Sequence, residues 1–318
     1  MGVQSMSKLD RKILAQIKSF GQPIRDDIKG WSGVTHFFDT KQVAAIQAAY
    51  FANRPLLVRG DPGLGKSQMA PAIASWLNLH FNYASIHANT EIEDLLYKVD
   101  HIKRFSHGHG NHDDINIRHF IEPGVVWQAI APDTHLQECD SKECADTTEE
   151  RDGSMLLIDE IDKADASLPN ALLEVLNNKT ISVTPVGQTL EQKSDNPLLV
   201  VITSNDEKAL PDAFLRRCAI LDLSLEQGEE GVNQLLNIVG VHYVDYEKKF
   251  AQGIVQRLAE QLIKLRGLCG EKNEYLPGTS ELLDILRVLD RYNHHEQPEQ
   301  LKIIESFFLQ KQRQRPHV

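Results

Sequence analysis

Cysteine is scarce in this chain of 318 residues: four, at positions 139, 144, 218 and 269, with no regular spacing. That excludes the disulfide framework of a small secreted domain and leaves free thiols as the expected state. No apolar run approaches the roughly 18 residues that a membrane helix needs. The opening MGVQSMSKLD has neither the apolar core of a signal peptide nor the Ser or Thr that the myristoylation pattern requires, so the expectation is a cytosolic protein. Positive charge is in deficit. Lys and Arg total 34 against 45 acidic residues, a formal net charge of −11, so the overall field repels polyanions and nucleic acid is not expected as a partner, although a local basic groove would survive that objection. There is no internal repeat. With 41% hydrophobic and 25% charged residues the composition is that of a globular protein, with length for about two domains.

Helical spacing of apolar residues predicts helices over 7–18 and 41–52, the second with Asp39 or Thr40 as N-cap. Continuous apolar or β-branched runs at PLLVRG (55–60), FNYASI (81–86), MLLIDE (155–160), LLVVITSN (198–205) and AILDLSL (219–225) predict five strands. Helical stretches lie between them, including 66–79, which carries Pro71 near its start. Apolar strands alternating with helices indicate a parallel sheet covered on both faces. Beyond about residue 226 the strand signal stops and EQGEEG reads as a hinge. Val255, Leu258, Leu262 and Leu265, then Leu282, Ile285, Leu286 and Leu289, form apolar helix faces of a small all-helical domain. The expected division is a helical extension over 1–34, an α/β domain over 35–226 and a helical lid over 227–318. The histidine-rich stretch 105–119 and the acidic stretch 133–152 read as surface loops.

GDPGLGKS, from Gly60 to Ser67, fills every fixed position of the phosphate-loop pattern GxxxxGK[ST], between a strand and a helix. Glycines let the backbone fold closely around phosphate oxygens with N–H groups turned inward, and the positive end of the following helix faces the anion. Gly60, Asp61, Pro62, Gly63, Leu64 and Gly65 make the cradle, Lys66 would neutralise the β and γ phosphates, and Ser67 would offer its hydroxyl to Mg2+. In MLLIDE a buried strand ends in two carboxylates at the end where open α/β sheets bind ligands. Asp159 would hold Mg2+, usually through water, and Glu160 would orient the attacking water. Asn205, ending the VVITSN strand, would contact the γ-phosphate or that water. ALPDAFLRRC (209–218) is expected as a short helix closing in Arg216 and Arg217, whose planar donors suit a phosphoryl group.

In this order, and followed by a helical region, these motifs resemble an AAA+ ATPase. FIEPGVVWQAI (120–130) further resembles the helix-two-insert clade, the MoxR family in particular. The resemblance covers about residues 35–290. It implies an α/β P-loop NTPase core, a three-layer parallel-sheet fold, with an all-helical C-terminal lid. It also implies Mg2+-dependent ATP hydrolysis in a homo-oligomeric ring, usually a hexamer, each site completed by a neighbour's arginine. Arg217 matches the arginine-finger position best, with Arg216 as second choice. The family's partner is often a protein bearing a von Willebrand factor A domain, remodelled in a chaperone-like cycle. One departure is visible: the sensor arginine expected at the start of the third lid helix is replaced by Ser280 and Glu281. Either Arg287 substitutes from the next turn, or sensing of phosphate by the lid is weakened.

Weaker signals stay open. His107, His109 and His112 with Asp113 and Asp114, or Cys139 and Cys144 with His135, have metal-binding chemistry but spacing that fits no closed site. Residues 180–192 alternate like the hairpin that AAA+ proteins insert before a later strand, and would either face a central channel or pack on the subunit. A nucleic-acid motor or loader on the same scaffold is the alternative function. A small-molecule kinase, a non-hydrolysing switch and use of GTP are the remaining rivals.

Overall fold

The structure is a computed structural model that describes residues 8–14, 21–24, 27–28, 30–31, 33, 35–107, 116–132, 134, 151–192, 196–268 and 276–309. In chain order come α1 (Lys8–Leu14), β1 (Gly21–Pro23), β2 (Thr35–Phe37), α2 (Thr40–Phe51), β3 (Leu56–Gly60) and α3 (Lys66–Leu77). Next are β4 (His80–Ser85), α4 (Ile92–Leu96), β5 (Tyr97–Val99), α5 (His101–His107), β6 (Ile121–Pro123) and α6 (Val125–Ile130). Then follow β7 (Ser154–Asp159), α7 (Ser167–Asn178), β8 (Thr180–Val183), β9 (Gln188–Glu191), β10 (Leu198–Ser204), α8 (Asp212–Leu215) and β11 (Ala219–Leu223). The remainder is helical: α9 (Gly228–His242), α10 (Tyr246–Lys249), α11 (Ile254–Leu268), α12 (Thr279–Leu289) and α13 (Gln297–Phe308).

The five expected strands assemble into one sheet in the order β11-β3-β10-β7-β4. This is the α/β P-loop fold, a parallel sheet with helices and an all-helical C-terminal region. Strands β3 and β4 are consecutive in sequence yet separated in the sheet by β10 and β7, which makes a topological switch beside β3. Pairing of β10 and of β4 with β7 is parallel, with Ile202 opposite Ile158 and Ser85 opposite Asp159. All six residues of β7 are buried, as its unbroken apolar run requires of a strand covered on both faces. The predicted hairpin at 180–192 is present as the antiparallel pair β8 and β9.

The described residues of Met1–Lys18, Thr40–Val58 and Ile73–Leu221 form one compact unit. Its core gathers Leu57, Leu156, Ile158 and Ile202 from the sheet with Trp127, Leu172 and Phe214 from the helices. Those of Ser19–Asp39, Arg59–Ala72 and Asp222–Val318 form a second unit. There the predicted faces of α11 and α12 meet: Val255, Leu258 and Leu262 share a core with Leu282, Ile285, Leu286 and Leu289.

Two local expectations differ from the structure, and a third falls partly outside the described residues. Helix α1 is described only to Leu14, so the rest of the expected 7–18 helix lies outside the described residues. The EQGEEG segment is no hinge, because α9 starts at Gly228 and runs to His242. Glu229 and Glu230 fall in its first turn, where negative charge favours the helix terminus. The stretch 105–119 is not wholly loop: α5 reaches His107, and Ile117–Phe120 is a turn of 3-10 helix. Residues 108–115 and 135–150, with Cys139 and Cys144, lie outside the described residues, as does Cys269. Cys218 is a free, buried thiol, and burial pushes its pKa up to about 12.

Helix α1 is tied to the rest of its unit by charge. Lys8 and Lys12 both pair with Asp152, whose side chain is 7% exposed, and the Tyr50 hydroxyl donates to Asp10 at 3.0 Å. Burial pushes the Asp152 carboxyl up, but the hydrogen bonds from Lys12 and Lys8 outweigh it and hold the pKa below the usual carboxylate value. A depressed carboxylate contributes stability above its unfolded pKa and loses it as pH falls through the folded value. Asp152→Asn is therefore expected to speed hydrogen exchange in α1 at neutral pH, with the difference from the parent chain vanishing at acid pH. An equal difference at both pH values would contradict this role.

Candidate functional site

Strand β3 ends in Gly60, and the chain turns through Gly60–Ser67 into α3. Three glycines of the turn have positive φ: 142° at Gly60, 78° at Gly63 and 82° at Gly65. A Cβ at Gly60 would lie 2.2 Å from the Leu223 carbonyl oxygen, and one at Gly63 would lie 2.5 Å from the Ser280 hydroxyl, so conformation and space both demand glycine. Lys66, only 6% exposed, folds back and donates from Nζ to the carbonyls of Gly60 at 2.6 Å and Asp61 at 2.8 Å. Pro62 is exposed, Leu64 packs against the core of the lid helices, and Ser67 is the second residue of α3.

The lid helices of the same compact unit grip this turn. Thr279 Oγ1 donates to the Gly63 carbonyl at 2.6 Å, and the Ser280 N–H donates to it at 3.1 Å. Arg266 of α11 donates from Nη2 to Asp61 Oδ2 at 2.5 Å. Ser280 and Glu281, at the expected sensor position, are engaged with each other at the start of α12. Glu281 closes its own helix, accepting from the Gly278 N–H and the Ser280 hydroxyl. Arg287 is 70% exposed and pairs with Asp284 one turn back.

In the other unit, β7 delivers Asp159 and Glu160. Glu160 has φ 61° and ψ 47°, a left-handed conformation that costs a non-glycine residue on the order of 1–3 kcal/mol. Its neighbours hold it there. The Glu160 N–H donates to Thr203 Oγ1 at 2.9 Å, and the Thr203 hydroxyl donates in turn to Asp159 Oδ1. Asn205 Nδ2 lies 3.4 Å from Glu160 Oε1, and Lys163 Nζ donates to Glu160 Oε2 at 2.6 Å. That hydrogen bond is the main reason the Lys163 ammonium sits above its ordinary pKa. Buried Asp162 accepts from the backbone N–H groups of Asn205 and Glu207, which fixes the turn that carries Asn205. On β4, burial and then the Asp159 carboxylate push the Tyr83 hydroxyl pKa up.

Asp159, Glu160 and Asn205 thus come together, as their positions at two strand ends implied. The motif reading missed Thr203, which lies inside the quoted VVITSN segment, and Asp162 and Lys163, which follow MLLIDE by two and three residues. Arg216 and Arg217 follow the single turn of α8 and are exposed, Arg217 with Nη1 donating to the Ala213 carbonyl at 3.3 Å.

The donors present suit magnesium better than a metal held by protein alone. Among the described residues no group of three or more His, Cys, Asp or Glu could hold a metal. A lone carboxylate such as Asp159 suits an ion that takes most of its ligands from phosphates and water. The described part of the His107 to Asp114 cluster is the end of α5; His109, His112, Asp113, Asp114 and His135 lie outside the described residues. Among the described residues no helix is long and apolar enough to cross a membrane.

Thr203→Val keeps the shape and removes the hydroxyl that links the two carboxylate residues. A lost hydrogen bond of about 1–1.5 kcal/mol corresponds to roughly tenfold in rate, so kcat for ATP hydrolysis is expected to fall about tenfold with KM little changed. Steady-state phosphate release measures it, and an unaltered kcat would remove Thr203 from the machinery.

The family model of the AAA domain (dynein-related subfamily) matches residues 55–218. No curated protein matches the chain significantly. Among solved structures, a Cytophaga hutchinsonii protein provisionally assigned as an ATPase is 16% identical with a TM-score of 0.39, over 83% of this chain and 78% of that one. Two point mutants of RuvB from Thermotoga maritima are 17% and 16% identical with TM-scores of 0.41 and 0.42, over 83% of this chain and 68% and 67% of theirs.

Proposed function

Because the chain belongs to the AAA domain family, dynein-related subfamily, and is therefore a nucleotide-binding ATPase, we propose that it is a MoxR-like ring protein that couples Mg-ATP turnover to remodelling of a protein partner. The observation that carries this reading is Glu160, held in a left-handed conformation between Asn205 and Lys163 directly after Asp159. Strain of that kind persists where surrounding structure fixes it, and it concentrates at functional sites.

In this reading the backbone N–H groups of Gly60–Ser67 and Lys66 bind the phosphates, and Ser67 and Asp159 hold Mg2+. The ion, when bound, supplies charge neutralisation at the phosphoryl oxygens. Glu160 orients water and accepts its proton, and Asn205 keeps the Glu160 carboxylate in place. Catalysis is chiefly positioning and charge compensation. Arg217, with Arg216 as the alternative, reaches the site of a neighbouring copy in a hexameric ring; its exposure at the end of α8 supports that role. We assign the cytosol as the place of action and a protein with a von Willebrand factor A domain as the kind of client. The formal charge of −11 weighs against a nucleic-acid motor.

Glu160→Gln is expected to bind Mg-ATP while losing about a hundredfold or more in turnover, the contribution of a positioned acid–base group. Arg217→Ala should be comparably slow, since fingers of this kind contribute about a thousandfold or more. Mixing the two variants is expected to restore part of the hydrolysis, by pairing an intact Glu160 in one chain with an intact Arg217 in its neighbour. Mixed assemblies as inactive as their components would rule out a shared site. Strong stimulation of the parent chain by DNA or RNA would instead favour the motor.

A further inference from the structure

The phosphate loop contains an acid. Asp61 is the second residue of a turn read as a polyanion site, and its side chain is 42% exposed. A carboxylate there opposes the charge that the loop is built to attract. Facing it is Arg266, whose side chain is 7% exposed, placed by the last turns of α11. Nη2 donates to Asp61 Oδ2, and Nη1 donates to the Pro277 carbonyl at 3.0 Å. Nε is buried with no hydrogen-bond partner.

Packing alone does not explain such a residue. A buried donor left unsatisfied costs on the order of 1–3 kcal/mol, and an apolar side chain would fill the same space without that penalty. A largely buried ion pair is also weak evidence of a stabilising role, because the cost of desolvating the guanidinium offsets its attraction to the carboxylate. What only a cation provides is cancellation of the Asp61 charge. The other lid groups on the turn, Thr279 Oγ1 and the Ser280 N–H, are donors as well. The second acid nearby, Glu281, already accepts from Gly278 and Ser280.

We propose that Arg266 is a positioning residue for nucleotide: it neutralises and orients Asp61, so that the loop meets the phosphates with a net attractive field. The inference rests on the reading of Gly60–Ser67 as the nucleotide loop. It assigns a role in binding to a lid residue outside every motif in the sequence. The contact is made through Asp61, so the residue acts on affinity and not on the chemical step.

The test is a double-mutant cycle on the full chain, with Mg-ATPγS affinity measured by calorimetry at low and high salt. Arg266→Gln is expected to weaken binding on the order of tenfold, the scale of one unopposed charge in a medium of intermediate dielectric. The loss should shrink as salt screens it. Asp61→Asn in the Arg266→Gln background should recover most of the affinity, whereas a merely structural role in the lid would not be rescued by removing a charge from the loop. Binding by Arg266→Gln within about twofold of the parent, or no recovery in the double variant, overturns the proposal. If Arg266→Gln fails to fold, Asp61→Asn alone decides: with Arg266 unopposed it should bind more tightly at low salt, and weaker binding overturns the proposal. Absence of binding by the parent chain would overturn the nucleotide reading itself and this inference with it.

Discussion

A buried ammonium group sets the geometry of the phosphate loop. Lys66 is 6% exposed, and a cation withdrawn from water must find acceptors or lose its charge. It finds them in the carbonyls of Gly60 and Asp61, six and five residues earlier. For the chain to bring those carbonyls back over the first residue of α3 it must curl tightly, and the positive φ values of Gly60, Gly63 and Gly65 are the form that curl takes. The approach of Gly60 to Leu223 leaves no room for a methyl group. The glycines and the lysine of the motif are therefore one requirement expressed at four positions.

The carboxylate end obeys a different constraint. A left-handed glutamate costs on the order of 1–3 kcal/mol, about what two or three hydrogen bonds of ordinary net worth return. Glu160 has three: its N–H to Thr203, and its two carboxylate oxygens to Asn205 and Lys163. The balance is close, so the conformation depends on β10 lying next to β7, which brings Thr203 and Asn205 within reach. Asp162 adds rigidity by holding the backbone of the turn after β10. Strand pairing thereby becomes a condition for the placement of one side chain.

These two constraints explain what was legible in the amino-acid sequence. Strands such as Ser154–Asp159 announce themselves because burial on both faces selects an unbroken apolar run, and the polar residue that ends the run is then conspicuous. Asp159, Glu160 and Asn205 were found that way. Thr203 was not, because a threonine inside a β-branched strand has an ordinary reason to be there, and its hydroxyl acquires its partners Glu160 and Asp159 only through register. The segment at 226–231 was misread as a hinge because glycine and glutamate are shared by loops and by helix starts; burial of Val232 and Leu235 in the lid core decides for the helix. Arg266 was the least accessible of all. Its partner Asp61 lies 205 positions away, and an arginine near the end of an amphipathic helix is by itself unremarkable.

The distribution of the site over the fold has a mechanical meaning on the proposed reading. The turn Gly60–Ser67 belongs to the same compact unit as the lid helices, and it is joined to α11 through Asp61 and Arg266 and to the start of α12 through the Gly63 carbonyl. Two of these links end on groups whose surroundings change when polyphosphate charge arrives or leaves: a carboxylate, and a peptide of the loop itself. A ligand shifts a conformational equilibrium only by the difference in its interaction free energy with the two states. A lid held to the loop by charge and by hydrogen bonds has such a difference built in, because a second anion beside Asp61 competes directly for the field of Arg266. The missing sensor arginine at the head of α12 is thus no sign that the lid ignores the nucleotide; the sensitivity sits one helix earlier, on a residue that reads the phosphates through the loop that binds them.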